Sequence, residues 1–134
     1  MQIGEAANRV GLSLRTMRHW DEVGLAVPSA RSVGGFRLYT EADLERLLVI
    51  KTFKPLELSL EQMRELLATM DAVAANAAGA GEGDVEAADV LLERLTMFQA
   101  VTDSRIEALR AQAQSLETLS RELRRLATDG ARAR

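Results

Sequence analysis

The chain of 134 residues carries a net charge of −3, with 47% apolar and 4% aromatic residues, which fits one small globular domain plus an extended helix. It contains no cysteine, which excludes thiolate nucleophiles and thiolate metal sites. No apolar run reaches the roughly 18 residues of a membrane span and no signal-peptide pattern occurs, so we expect a soluble, cytoplasmic protein that does not contact membranes.

Two short helices separated by a tight turn open the chain. Residues 3–10 place apolar side chains on one helical face, and Gly11 suits the left-handed C-cap that ends such a helix. Ser13 is a good N-cap for a second helix, in which Leu14 and Met17 supply apolar contacts. This pattern predicts a helix-turn-helix, whose second helix enters the major groove of DNA.

Polar side chains lie at the start of the second helix, where a helix-turn-helix meets base edges and phosphates: Ser13, Arg15, Thr16, Arg18 and His19. Guanidinium groups match guanine and phosphate oxygens, so we predict that Arg15 and Arg18 bind DNA. The alternative is that both arginines are solvated surface side chains. His19 is predicted to face DNA or to pack, because a lone imidazole without neighbouring carboxylates makes a poor metal site.

A short β-hairpin is predicted next. Residues 27–28 and 36–39 are expected to be extended around residues 29–35, whose Ser and Gly content suits an exposed turn. Such a hairpin beside the second helix is a wing, and it would carry towards the DNA backbone the side chains of Arg31, Arg37 and Tyr39. For the tyrosine, the alternative is a ring packed under the wing with only its hydroxyl reaching DNA.

Two capping boxes open the following helices, one formed by Thr40 with Asp43 and the other by Ser59 with Gln62. The first of these helices must end near Pro55, because proline cannot continue it. The apolar side chains of both helices are predicted to form the core: Leu44, Leu47, Leu48, Ile50, Leu60, Met63, Leu66, Leu67 and Met70.

The N-terminal half of the chain, about residues 1–70, resembles the MerR family of transcriptional regulators. The motifs that carry the resemblance are Ile-Gly-Glu-Ala at 3–6, Met-Arg-His-Trp-Asp at 17–21 before Gly-Leu at 24–25, Gly-Phe-Arg-Leu-Tyr at 35–39 and Leu-Glu-Leu-Ser-Leu-Glu at 56–61. His19 and Trp20 replace the usual aromatic pair. Glu57 replaces a glycine, the residue that tolerates positive φ.

A long helix is predicted for the second half of the chain. Residues 71–84 are rich in Ala and Gly, which indicates a frayed helix end and a linker. Residues 85–128 contain neither Pro nor Gly and predict a helix of roughly 60 Å, followed by a disordered tail at 129–134. The stripe of apolar side chains on this long helix needs a partner, most simply the same helix of a second subunit.

The predicted dimer interface follows this stripe and includes one polar residue that can fix register: Leu92, Leu95, Phe98, Thr102, Ile106, Leu109, Leu116, Leu119 and Leu123. The alternative is a free-standing helical hairpin or an arm that binds another protein. The resulting fold class is mainly α, with a winged helix-turn-helix domain and a long dimerisation helix. The family resemblance implies that this helix forms an antiparallel coiled coil.

The resemblance also implies a function. MerR-like dimers bind a pseudo-palindromic promoter site in double-stranded DNA and bend or untwist it so that RNA polymerase can engage. Residues 1–54 contain eight basic and six acidic side chains, against nine and fourteen in residues 55–134, so positive charge lies with the predicted DNA-binding half.

No phosphate-binding loop or catalytic constellation occurs in the sequence, so we expect neither an enzyme nor a cofactor. The sequence identifies no small-molecule effector. Two alternatives remain open: an architectural or excisionase-like protein that bends DNA in recombination, and a helical adaptor whose winged domain binds protein.

Overall fold

The computed structural model, which describes residues 1–77, 79 and 85–134, is built mainly of helices. This confirms the predicted mainly α class with a winged helix-turn-helix and a long C-terminal helix, whereas the coiled coil stays a prediction. Within those residues, no helix combines the length and the apolar character needed to cross a bilayer. The elements in chain order are α1 (Ile3–Val10), α2 (Leu14–Glu22), β1 (Ala30–Arg31), β2 (Arg37–Leu38), α3 (Glu41–Lys51), a short 3-10 helix (Lys54–Leu56), α4 (Leu60–Ala77) and α5 (Val85–Arg132).

Local hydrogen bonds build the turn between α1 and α2. Gly11 adopts a left-handed φ of 70°, and its N–H donates to the carbonyl of Ala7 at 2.9 Å. The hydroxyl of Ser13 accepts a hydrogen bond from the N–H of Thr16 at 3.1 Å. The predicted C-cap of α1 and N-cap of α2 are therefore both confirmed.

The hairpin formed by residues 30–38, called the wing below, has two very short strands. β1 pairs with β2 in antiparallel register, and Arg31 stands directly opposite Arg37. Gly35 reverses the chain with a left-handed φ of 81°, a conformation that glycine adopts without steric cost. The register places the two arginine side chains on the same face of the wing.

The position of the first strand differs from the prediction. Residues 27–28 were expected to pair, but β1 begins at Ala30. Pro28 lacks the N–H that a strand pair needs. The N–H and hydroxyl of Ser29 instead donate to the two carboxylate oxygens of Asp43, at 2.9 and 2.6 Å. These bonds tie the entry of the wing to the first turn of α3.

Both predicted capping boxes are present. The Thr40 hydroxyl accepts the N–H of Asp43 while the Asp43 carboxylate accepts the N–H of Thr40, at 3.1 and 2.9 Å. Ser59 and Gln62 exchange the same pair of bonds at the start of α4, at 3.1 and 2.9 Å. These reciprocal bonds satisfy backbone donors that a helix start otherwise leaves without partners.

One apolar core joins α1, α2, the wing, α3 and α4. Leu48, which was predicted to belong to it, is instead 47% exposed. The buried face of α3 is centred on Leu47, and Leu48 lies one residue, about 100°, further round the helix. The buried apolar residues are Ala6, Ala7, Val10, Met17, Leu25, Ala26, Tyr39, Leu44, Leu47, Ile50, Phe53, Leu66 and Leu67, with Leu60, Met63 and Met70 half-buried at the edge.

The two long helices extend beyond their predicted ends. α4 continues to Ala77, because residues 71–77 contain several alanines, which have the highest helix propensity. The rest of the predicted linker, apart from Gly79, lies outside the described residues. α5 reaches Arg132, so the predicted disordered tail is wrong for its first four residues. Gly130 costs a helix only about 1 kcal/mol relative to alanine, which does not end it here.

Glu57 has the left-handed conformation that the resemblance assigned to a glycine. It follows the 3-10 helix with φ 52° and ψ 41°, and among the described residues it alone combines a side chain with positive φ. An L-residue with a Cβ pays about 1–2 kcal/mol in this region. Its carboxylate lies 3.7 Å from the guanidinium of Arg105 on α5, with 80% of the glutamate side chain exposed.

Replacing Glu57 should therefore rank side chains by their tolerance of positive φ. We expect Glu57→Gly to unfold at a higher temperature than Glu57→Val, with a difference of about 1–2 kcal/mol in the free energy of unfolding. Both variants lose the same exposed ion pair, so the comparison isolates the backbone. Thermal unfolding followed by circular dichroism measures the difference. Equal stabilities, or a more stable valine variant, would contradict the backbone explanation.

Candidate nucleic-acid interface

The outer face of α2 carries two guanidinium groups. Arg15, Arg18 and His19 are exposed, whereas Met17 is fully buried and Trp20 is half-buried against the core. Neither arginine forms a salt bridge or a hydrogen bond with any residue that the structure describes. Both charges are therefore available to an anionic partner, and the buried side of α2 holds them on a fixed helix.

Ser13 and Thr16 bond to each other at the start of α2. The Ser13 hydroxyl donates to the Thr16 hydroxyl oxygen at 2.9 Å and accepts the Thr16 N–H at 3.1 Å. Their first role is thus to cap the helix. Their predicted contact with DNA stays a prediction.

His19 lies on the same exposed face of the helix. Among the described residues, no group of three or more side chains of the metal-binding types comes together. Together with Trp20, His19 lines a shallow depression on the surface of α2 that Arg15, Arg18 and Glu22 also border.

Asp21, in the last turn of α2, joins this helix to the wing. Its carboxylate is 7% exposed, and one oxygen, Oδ2, accepts hydrogen bonds from Arg37 Nε at 2.5 Å and from Arg31 Nη2 at 3.0 Å. The hydrogen bond that Arg37 donates to Asp21 raises the pKa of Arg37, against the opposing effect of burial. Both wing arginines that the sequence singled out are therefore held beside α2.

Tyr39 does not occupy the position that the sequence predicted. Its side chain is buried, with 2% exposure, and its hydroxyl is inaccessible and has no hydrogen-bond partner within the described chain. Burial, and next the charge of Asp21, raise the pKa of this hydroxyl. The ring is part of the core, so the predicted direct contact with DNA is wrong for this conformation. Just after the wing, Tyr39 exchanges backbone hydrogen bonds with Met1, at 2.7 and 2.8 Å.

Sequence reasoning missed Asp21 and the apolar tip of the wing. Asp21 follows buried Met17 by four residues, so helical spacing puts it on the inner face of α2, and a carboxylate there needs a cationic partner. That signal was available in the sequence. Phe36 is 67% exposed and Val33 is fully exposed at the wing tip, which no local pattern distinguishes from a buried strand residue.

The first half of α5 packs on the chain's own domain. Leu95, Phe98 and Thr102, which were predicted to contact a second subunit, are half-buried against α4 and the 3-10 helix. Arg105 Nε fixes this packing by donating to the carbonyl of Pro55 at 2.7 Å. Between these elements lies an open apolar groove of about 650 Å³. The chain's own domain therefore covers part of the stripe that was predicted to need a second subunit.

The second half of α5 extends away from that domain, and its apolar side chains are exposed. The exposed apolar stripe, as it is called below, consists of Ile106, Leu109, Leu116, Leu119, Leu123 and Leu126, each between 37% and 66% exposed. Leu92, near the start of α5, is 51% exposed as well. Ile106 and Leu109 line the edge of the groove, whereas no other described element covers the four leucines from Leu116 onward. The role of all these side chains in a dimer stays a prediction.

Comparison with known proteins agrees with this geometry. Residues 1–70 match the family described as MerR HTH family regulatory protein. A Haemophilus influenzae protein named "Probable heavy metal-dependent transcriptional regulator" is 45% identical over 71 residues, which cover 53% of this chain and 56% of that protein. The chain thus spans little more than half the length of this relative.

Solved structures extend the likeness beyond the N-terminal half. PbrR691 from Ralstonia metallidurans, crystallised with lead(II), aligns with a TM-score of 0.53 and 30% identity over 94% of this chain and 84% of its own. HiNmlR, a regulator lacking the sensor domain and bound to promoter DNA, aligns with a TM-score of 0.59 over 85% of this chain and 75% of its own; at 24% identity it supports the fold alone. The chain belongs to the MerR family of helix-turn-helix regulatory proteins.

Proposed function

We propose that this protein is a sequence-specific DNA-binding transcription regulator that acts as a homodimer on a pseudo-palindromic promoter site. The observation that carries the proposal is the pair of guanidinium groups of Arg15 and Arg18 on the outer face of α2, which have no partner among the described residues and lie beside a wing with two further arginines. A helix of this kind fits the major groove, and a neighbouring hairpin reaches the flanking backbone.

The two parts of the surface have different tasks in this proposal. Arg15 and Arg18 meet base edges, where a guanidinium can bond to guanine through two parallel hydrogen bonds. Arg31 and Arg37 meet sugar and phosphate, whose contacts carry little sequence information. Because a MerR-type promoter site is deformed on binding, the phosphate contacts also contribute towards the bending cost of about 1–6 kcal/mol.

The exposed apolar stripe of α5 supports the homodimer. Helices that repeat large apolar residues about every three and four positions bury them by pairing with another such helix. In this chain the repeat continues well past the residues that contact the chain's own domain. We propose that the stripe pairs with the same stripe of a second subunit in antiparallel orientation, as the family resemblance implies.

The dimer would act in the cytoplasm, by changing how RNA polymerase engages the promoter and without catalysing a reaction. Selection of bound duplexes from a random pool, followed by sequencing, tests the proposal. We expect enrichment of an inverted repeat, because a twofold dimer binds two half-sites. Absence of DNA binding even at low salt would contradict the proposal and favour a protein-binding adaptor.

Salt dependence offers a second test that needs no knowledge of the operator. If the dimer neutralises six to eight phosphates through its α2 and wing arginines, a plot of log K against log salt concentration should have a slope of about −5 to −7. Fluorescence anisotropy of a labelled duplex, titrated between low and moderate salt, measures this slope. An affinity that is independent of salt would exclude phosphate contacts as the source of binding.

A further inference from the structure

Asp21 is a buried carboxylate that the proposed DNA contacts do not use directly. It lies in the last turn of α2 with its side chain 7% exposed, and one oxygen receives both wing arginines. Burying an ionised carboxylate is costly unless it is paired and hydrogen-bonded. Two cations on one anion leave a net positive charge at the surface of the wing.

The bonds involve both strands of the wing. Arg31 lies on β1 and Arg37 lies directly opposite on β2, so their side chains leave the same face of the hairpin. Arg31 also donates through Nη1 to the carbonyl of Gly35 at 3.2 Å, which closes the turn. A single carboxylate of α2 therefore bonds both strands of the wing to the helix that carries Arg15 and Arg18.

The hydrogen bonds also leave donors free. Asp21 binds Arg37 through Nε only, and within the described chain no hydrogen bond engages the two terminal nitrogens of Arg37. Arg31 keeps 49% of its side chain exposed, against 23% for Arg37. A guanidinium bonded to a carboxylate on one edge can bind a phosphate on another, because it has five N–H donors in a fixed plane.

We propose that Asp21 is a positioning residue for DNA binding: it orients both wing arginines so that they bind backbone phosphates next to the groove that α2 enters. This rests on the proposed function. An acidic side chain near DNA would ordinarily weaken binding by repelling phosphates. Here its burial, and the two guanidinium groups between it and the surface, reverse the expected sign of its effect.

The test compares Asp21→Asn with the matched control Glu22→Gln. Both substitutions remove one negative charge from neighbouring positions of α2, but Glu22 is exposed. The probe is a mixed-sequence duplex, since wing contacts are to the backbone. We expect Glu22→Gln to bind as tightly as the parent or slightly more tightly. We expect Asp21→Asn to bind at least about tenfold more weakly, because it loses one or more phosphate contacts.

The salt slope separates positioning from a general loss of folded protein. With four wing arginines in a dimer, the slope of Asp21→Asn should become shallower by about two to four. A variant that is only partly folded would lose affinity with its slope unchanged. Arg37→Lys gives an independent reading without removing Asp21: it keeps the charge but lacks the second edge of a guanidinium, so its slope should also become shallower.

The outcomes separate this inference from the function on which it rests. If the parent binds no duplex, the proposed function fails. If the parent binds and Asp21→Asn binds equally well or more tightly, or if both test variants keep the parental slope, the proposed function stands and the positioning role is overturned. Weaker binding with a shallower slope in Asp21→Asn, with Glu22→Gln unchanged, supports the positioning role.

Discussion

Leu116→Asp should convert the protein from dimers to monomers. Leu116 is 66% exposed in the single chain and belongs to the exposed apolar stripe, beyond the part of α5 that packs on its own domain. In an antiparallel pair each copy would bury one unpaired carboxylate. An uncompensated buried charge costs about 3–5 kcal/mol, so the dimer should dissociate more than about a hundredfold more readily.

Gln114→Asp is the matched control for this change. Gln114 is exposed and lies about 160° round the helix from Leu116, away from the apolar stripe. It receives the same charge on the same helix, so a general effect of added charge would appear in both variants. Sedimentation velocity at micromolar concentration should give dimers for the parent and for Gln114→Asp. A monomeric parent would refute the dimer, and a dimeric Leu116→Asp would place the contact elsewhere.

Features of the fold that depend on neighbouring residues in sequence could be predicted from the sequence. The N-cap at Ser13, the left-handed Gly11 and the capping box of Thr40 with Asp43 each join residues three or four positions apart. Their hydrogen bonds form whenever the local chain is helical, so the residue types alone specify them. This is why the end of α1 and the starts of α2 and α3 were predicted correctly.

Features that depend on distant residues were predicted less well. Tyr39 lies two residues after Arg37, so strand alternation predicts both side chains on one face of the wing, but the neighbours of Tyr39 in space are the buried side chains of other elements. Leu95 and Phe98 fit a heptad repeat, which predicts contact with a second subunit, yet they lie against α4 and the 3-10 helix of their own chain. A periodic pattern shows which side of an element is apolar and does not identify what covers it.

The candidate site shows the same division. The exposure of Arg15 and Arg18 follows from the helical period, because buried Met17 lies between them on the inner face of α2. The bonds of Arg31 and Arg37 to Asp21 join residues ten and sixteen positions apart across two elements. The sequence therefore predicted which arginines lie at the surface, and only the structure gives the carboxylate that orients two of them.

Alanine substitutions at the arginines should separate sequence recognition from general affinity. Arg15→Ala or Arg18→Ala should reduce the preference for an operator over a scrambled duplex by about 1–3 kcal/mol, the value of a lost bidentate contact with a base. Arg37→Ala should weaken binding to both duplexes by similar factors, because phosphate contacts are the same in every sequence.

Arg110→Ala provides the control for charge alone. Arg110 is exposed on α5, far along the chain from the wing, and no salt bridge engages it within the described residues. Its loss changes the net charge by the same amount as each test variant and should leave the preference between the duplexes unaltered. Binding of all four variants to both duplexes at one salt concentration completes the comparison.

The pattern of losses identifies how the site reads DNA. A reduced preference in Arg15→Ala or Arg18→Ala means that the guanidinium contacts a base edge. If both variants lose affinity equally on the operator and the scrambled duplex, then both arginines bind phosphates, and the sequence must be recognised through the shape and deformability of the DNA. In that case variants of Arg31 and Arg37, whose phosphate contacts offset the cost of bending the DNA, should change the choice of site. Variants of Arg15 and Arg18 should not.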